Sequence, residues 1–300
     1  MENINNNGLE RVSKEIASII EDELNNLNLF FRVFFRCKSV GSLRKKLELK
    51  IDNNIDKYNS SKKIQDVIGL RINLYFADDV EIIRKLFKER FEFVEETIDK
   101  NTTTEFKPTR INLIFKIPKK YKREFKDLIK SDKIDDTFEL QIRTVLSEGW
   151  HEVDHDLRYK CLQDWEKHEE LSRMFNGILA ALETNDWSML QLFNELSYRH
   201  YKNNNIEAMF RTKFRIRLND GKVNEELLEI LKDNDLRKAF YRIDRSDFLC
   251  YLKETKFILP MNMENLIYIL NFNFIKSEEI LKITPLKTLN ELAFGQPIQV

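Results

Sequence analysis

The stretch Gly149–Lys160 reads GWHEVDHDLRYK, and within it His151, Glu152 and His155 spell HExxH. On a helix, imidazoles at i and i+4 share one face and can share a zinc ion, with the intervening Glu as general base. The rest of the chain supports that chemistry poorly. Arg158 stands where the longer form of the motif has Gly, and His168 and His200 are the other histidines. Glu169 and Glu170 come early for a third ligand. A second concentration of chemistry lies on alternating segments. In DTFELQIRT, Phe138, Leu140 and Ile142 take one face and Glu139, Gln141 and Arg143 the other. In LRINLYF, Ile72, Leu74 and Phe76 oppose Arg71, Asn73 and Tyr75. In FRVFFRCK, Val33, Phe35 and Cys37 oppose Arg32, Arg36 and Lys38. A sheet with one greasy face and one face of Arg, Lys and Glu suits an anion site with a metal-binding carboxylate. It equally describes an amphipathic sheet with a solvated charged face.

These residues need elements to position them. Leu9, Val12, Ile16, Ile19, Ile20 and Leu24 recur at helical spacing and predict a lead helix over 8–27. FFRVFFRCK, GLRINLYF, FEFVEETI, RINLIFKI and DTFELQIRT read as strands. SVGSLRKKLELK reads as a helix opened by a Ser cap, and DDVEIIRKLFKERF as a helix with Asp at its positive end. From Leu146 the pattern is helical, with Leu146, Trp150, Val153 and Leu157 as one apolar stripe. One interruption is the alternating TKFRIRL, followed by the turn signal Asn219–Gly221. The reading is therefore α+β. It comprises a lead helix at 1–29, a part with strands and helices over 30–160, a helical connector over 161–200 and a mostly helical region over 201–300.

The 300 residues are 42% hydrophobic and 33% charged with a formal net charge of zero, a soluble globular composition without a global field for nucleic acid or membrane. Cys37, Cys161 and Cys250 are scattered, as reduced thiols in a cytoplasm are. MENINNNGLERVSKEI has no apolar signal core, and Pro260 and Glu264 break the most apolar late stretch. A cytoplasmic protein without membrane or DNA partners is expected.

Four motifs occur in order: RCKSVGSLRKK, DVIGLRINLYFADD, ELQIRT and WHEVDHDLRYK. Together, over roughly residues 30–160, they resemble the synthetase domain of the RelA/SpoT family, which makes the alarmone (p)ppGpp. The resemblance implies a nucleotidyltransferase-like mixed sheet. It implies transfer of the β,γ-pyrophosphate of ATP to the 3′-hydroxyl of GTP or GDP, with Mg²⁺ as cofactor and AMP as by-product. It implies that Arg36, Lys38, Ser42 and Lys46 hold ATP and its phosphates, for which several cations and a helix-opening hydroxyl suit a polyanion. Asp66 matches the magnesium-binding Asp, and Gly69 and Arg71 its G-x-R, where Arg71 would bind phosphate. Glu139 matches the catalytic Glu, able to share the metal with Asp66 or take the hydroxyl proton, with Gln141 and Arg143 pointing the same way. Trp150, Asp154, His155, Leu157, Arg158, Tyr159 and Lys160 fall in register with the family's last motif. There His151 occupies a variable slot, and its pairing with His155 is coincidental.

The sequence departs from the family at the guanine-recognition loop. The corresponding segment is EFKPTRINLIFKI, with Asn112 where the family has His, Pro108 near its stacking Tyr, and Phe106 two residues away. Arg110 could stack on a base or bind a phosphate. The HDxxED motif of the family's hydrolase domain is absent, so a synthetase without opposing hydrolysis is expected. Two alternatives remain: a toxin-like member modifying the 3′ end of tRNA, for which KKYKREFKDLIK and RTKFRIR would track a phosphate backbone, and a non-catalytic nucleotide-sensing module. The amphipathic NGILAALETNDWSMLQLFNEL fits a homo-oligomer seam or a core helix.

Overall fold

The structure, a computed structural model, describes residues 6–39, 41–43, 63–98, 111–129, 133–255 and 257–294. Lys46, Arg110, Phe106 and Pro108 lie outside the described residues. The chain groups into two compact units, one of residues 1–21 and 31–184, the other of residues 22–30 and 185–300. The division falls inside two long helices.

Helix α1 (Asn6–Asn26) buries Leu9, Val12, Ile16, Ile20 and Leu24 at the predicted helical spacing. The first unit's sheet contains β1 (Phe31–Cys37), β2 (Ile68–Leu74), β3 (Phe93–Ile98), β4 (Ile111–Lys116) and β5 (Thr137–Thr144). Its order is β1-β2-β5-β4-β3, with β2 and β5 parallel and every other pair antiparallel, a mixed sheet of the kind the family resemblance implies. The central strands alternate as expected: Ile68, Leu70 and Ile72 lie beside Phe138, Leu140 and Ile142, all buried. Helix α2 (Asp79–Arg90) follows β2. At the foot of the sheet Phe91, Phe115 and Phe138 form a cluster with ring centroids 5.2–5.6 Å apart. Each edge-to-face or tilted pair adds about 0.5–1.5 kcal/mol to the gain from burial. Arg84 and Lys88 of α2 both reach Glu96 on β3. The Arg84 hydrogen bond, more than Lys88, pulls the Glu96 carboxyl down to about 2.

Helix α3 (Lys119–Ile129) buries Tyr121, Phe125 and Ile129 and carries its cations outward. Strand β5 passes into α4 (Val145–Val153) with no intervening loop. Thr144 makes this possible: its hydroxyl accepts from the Ser147 N–H at 3.2 Å, and the Ser147 hydroxyl accepts from the Thr144 N–H at 3.2 Å. This reciprocal cap satisfies two donors that a helix start leaves open, and it fixes where Glu148 and Glu152 point.

The predicted stripe on α4 is only partly realised. Trp150 is buried, but Val153 and Leu157 are 44% and 62% exposed. Val153 is the last residue of α4, and Leu157 lies in a π-helical turn over Asp154–Arg158. An i→i+5 turn advances the chain by an extra residue, so the α-helical phase that would group Leu157 with Trp150 is lost. What turns inward instead is Arg158. Its guanidinium lies over the rings of Phe175 at 4.8 Å, Trp150 at 5.4 Å and Trp165 at 5.9 Å. It donates to Asp154 from Nε at 2.7 Å and to the Asn176 side chain at 2.8 Å. Trp150 Nε1 donates to the Phe175 carbonyl at 2.8 Å. A short helix α5 (Leu162–Trp165) then leads to α6 (Glu169–Lys202).

The second unit is helical: the later part of α6, α7 (Ile206–Phe214), α8 (Glu225–Ile230), α9 (Asn234–Arg242), α10 (Arg245–Thr255), α11 (Met263–Leu270), α12 (Glu278–Ile283) and α13 (Leu286–Phe294). Its core includes Phe210, Phe214, Phe240 and Phe248, all fully buried. TKFRIRL is not an extended interruption pairing with a strand. Its first residues end α7, and Arg215 adopts a left-handed φ of 45° as the cap. The Arg217 N–H then bonds to the Asn28 carbonyl at 2.7 Å. Arg215 is buried, and burial lowers the Lys213 ammonium, so two of the three cations in this stretch turn away from solvent. Asn219–Gly221 lies in a loop, where Asn219 and Asp220 bond backbone to backbone with Met261 and Met263 at 2.9 Å each. Among the described residues no helix is long and apolar enough to cross a membrane.

Candidate active site

The site forms on the polar face of the sheet through two rows that strand register brings side by side. In one, Arg36 on β1 lies opposite Gly69 on β2, which lies beside Glu139 on β5. In the next, Phe34, Arg71, Gln141 and Asn112 line up across four strands. Gly69 leaves the floor low between Arg36 and Glu139, since a Cβ there would meet the Arg36 stem at 3.6 Å. The resulting cleft has a volume of about 370 Å³ and includes the exposed faces of Phe34 and Phe35.

The electrostatics alternate across the face. Lys38 donates to the Asp66 carboxylate just before β2. Gln141 Nε2 donates to Glu139 at 3.0 Å, and its Oε1 accepts from Arg71 at 3.2 Å and Arg143 at 3.0 Å. Gln141 thus orients both its neighbours, amide nitrogen to the carboxylate and oxygen to the guanidiniums. Arg71 also donates to Glu148 and Glu152, and Arg143 to Glu148 at 2.9 Å. Burial, and next the charge of Asp66, push the Glu139 carboxyl above the usual range. The Gln141 hydrogen bond and the cations Lys38 and Arg36 act the other way. Two carboxylates that feel each other, beside the cations Lys38 and Arg36, form a hard-oxygen donor set of the kind that could hold Mg²⁺.

Ser42 stands in the first turn after Ser39, whose hydroxyl accepts from the Ser42 N–H at 3.2 Å, so Ser39 is the cap. The structure therefore brings Arg36, Asp66, Gly69, Arg71, Glu139, Gln141, Arg143 and Asn112 to one face, with Lys38 paired to Asp66. His155 lies outside this cleft, beside Asp156 and stacked on Tyr159 with centroids 6.1 Å apart. His151 is 3% exposed and sits edge-on to Trp150. The two imidazoles of HExxH thus occupy different surroundings, and Glu152 turns to Arg71. Sequence reasoning missed Phe34, Glu148 and the role of Glu152. The signals were present: Phe34 falls between Arg32 and Arg36 on the polar phase, and Glu148 and Glu152 share a face at i and i+4.

Residues 35–164 match the family model described as the region found in RelA / SpoT proteins. Among solved structures, the chain is similar to small alarmone synthetase 2 from Bacillus subtilis, with 22% identity and a TM-score of 0.47 over 62% of this chain and 92% of that one. It is also similar to small alarmone synthetase 1 from the same organism, with 20% identity and a TM-score of 0.44 over 61% and 93%. A GTP pyrophosphokinase family protein from Streptococcus pneumoniae is similar at 17% identity and a TM-score of 0.42, over 61% and 87%. A search of curated protein sequences finds no match. By the family match, residues 35–164 of this chain are a RelA/SpoT-family domain.

Proposed function

We propose that the cleft is a pyrophosphokinase site that moves the β,γ-pyrophosphate of ATP to the 3′-hydroxyl of a guanosine nucleotide. The observation that carries this reading is the adjacency of Arg36, Gly69 and Glu139 across three strands, with the Lys38–Asp66 pair beside them. Arg36, Lys38 and Arg71 are the cations for the triphosphate, with Ser42 at a helix start beside them. Glu139 accepts the proton of the attacking hydroxyl as its oxygen bonds to the β-phosphorus. The bond from that phosphorus to the α–β bridging oxygen breaks, and AMP leaves with the electron pair. A raised pKa suits this role, because a base working near neutrality must hold the proton it takes. Gln141 keeps the carboxylate aimed at the cleft. Asp66 and Glu139 would hold Mg²⁺, which supplies neutralisation of phosphate charge. Phe34, 52% exposed above the cleft, offers a face for base stacking, typically about 1–3 kcal/mol per base.

A second reading, a tRNA 3′ end as acceptor, draws on α3, where Lys119, Lys120, Arg123 and Lys126 are all exposed. Purified chain with Mg²⁺ and γ-labelled ATP, offered GTP, GDP or bulk tRNA separately, tests both readings. Label on a guanosine nucleotide supports the first and label on tRNA alone the second. No transfer to any of the three overturns the enzyme reading.

A further inference from the structure

The second unit contains a cavity of about 460 Å³ that the proposed catalysis does not use. Helix α6 contributes Tyr198, Tyr201 and Lys202, and α9 contributes Arg237, Lys238, Tyr241 and Arg242. Among the described residues no carboxylate lines it, in a chain whose formal charge is zero. Tyr201 and Tyr241 stack at 4.9 Å with an interplanar angle of 19°, and Tyr198 lies 6.2–6.3 Å from both. Cations bracket this stack: Lys213 lies 5.0 Å from the Tyr241 ring, Arg237 5.7 Å from Tyr201 and Lys202 5.5 Å from Tyr198.

Arg237 shows that the arrangement is built. It is 6% exposed, with Nη1 bonded to the Lys232 carbonyl at 2.9 Å and Nη2 to the Asn234 side chain at 3.1 Å, while its buried Nε has no partner. Burying a charged donor unsatisfied costs free energy unless a ligand or water repays it. At the rim, Lys238 and Arg242 are exposed, and neither makes an ion pair among the described residues. Burial first, then Tyr198 and Glu195, raise the Tyr241 phenol, and Glu195 is itself bonded to Arg199 at 2.8 Å.

Fixed aromatic faces combined with unpaired cations match one chemistry: a planar base carrying a phosphate. We propose that this cavity binds a nucleotide, its base on Tyr198 and its phosphate on Lys238 and Arg242. A free nucleotide and the terminal nucleotide of a single-stranded RNA present that same chemistry. The site does not depend on the activity proposed for the first unit.

Photo-crosslinking the full chain tests this with two probes, 8-azido-ATP and an oligoribonucleotide ending in 4-thiouridine, followed by peptide mapping. The expected result is label on peptides containing Tyr198 or Tyr241, in addition to any label near Phe34. The more strongly labelling probe identifies the source. K238A/R242A, both exposed positions, should weaken labelling of these peptides by about tenfold per cation removed, leaving label near Phe34 unchanged. Y198F should retain binding, because the ring is kept, and Y198A should lose it. Label confined to the first unit with both probes overturns the proposal, as does label on these peptides that K238A/R242A and Y198A leave unchanged.

Discussion

Arg158 offers the sharpest quantitative test of how the first unit is held. Its guanidinium is boxed by Trp150, Trp165 and Phe175, and it donates through Nε and Nη2 to Asp154, whose side chain is 7% exposed. Arg158→Met keeps a flexible apolar stem against the rings but removes the charge and every donor. Removing one partner of a buried pair costs about 3–5 kcal/mol, because the other charge stays buried. The lost cation–π contacts add about 0.5–1 kcal/mol, and Met repays part of that by packing on the aromatics. The net expectation is a loss of about 4 kcal/mol. With a urea m-value of about 2 kcal/mol/M, the midpoint falls by about 2 M. Tryptophan fluorescence suits the assay, since two of the chain's three tryptophans, Trp150 and Trp165, stand in the box. Asp154→Asn added to Arg158→Met should restore about half of the loss by removing the stranded charge, a coupling that a double-mutant cycle reads directly. If Arg158→Met costs less than about 1 kcal/mol, the guanidinium is solvated and the reasoning fails.

Other outcomes follow from the same geometry. Phe138→Ala should cost about 3–5 kcal/mol by urea unfolding, since it empties a fully buried site between Phe91 and Phe115. Glu96→Gln should cost about 1 kcal/mol at neutral pH, a partly exposed network being worth less than its pKa suggests. Because the folded Glu96 pKa is depressed to about 2, that difference should be full above the unfolded value near 4.5 and fade as pH falls through about 2. The opposite sign holds for Glu139. Its folded pKa is raised, so its share of stability falls as pH rises from the unfolded value through the folded one, and Asp66→Asn should lower the Glu139 pKa measured by carbon NMR. Glu152→Gln should leave metal content unaltered and weaken only the anchoring of Arg71, read as a rise in KM larger than any fall in kcat.

Much of the first unit was legible because its signals are local. The alternation in DTFELQIRT and LRINLYF set which side chains share a face, and helical spacing set α1. Putting Arg36, Gly69 and Glu139 side by side was not local. It depends on an antiparallel and a parallel register between strands separated by tens of residues, which the family resemblance implied and periodicity alone could not. The π-turn over Asp154–Arg158 defeated the apolar stripe, because nothing in the i,i+3,i+4 pattern announces an i→i+5 bond. The inward turn of Arg158 to Asp154 and the aromatic box accompanies the outward turn of Leu157. In TKFRIRL the alternation was genuine, but without a partner strand the chain closed α7 and buried Arg215. Phe34 was overlooked because an aromatic between two arginines reads as core, when on this edge strand it is exposed over the cleft.

The central claim is that Glu139 is the base of a pyrophosphoryl transfer in the cleft. The most direct measurement is transfer from γ-labelled ATP to GTP, GDP and tRNA by wild type and Glu139→Gln, with ATP binding followed in parallel. The account predicts transfer to one acceptor class that falls by at least about a hundredfold in the variant while ATP binding changes little. Equal transfer by both proteins would contradict it.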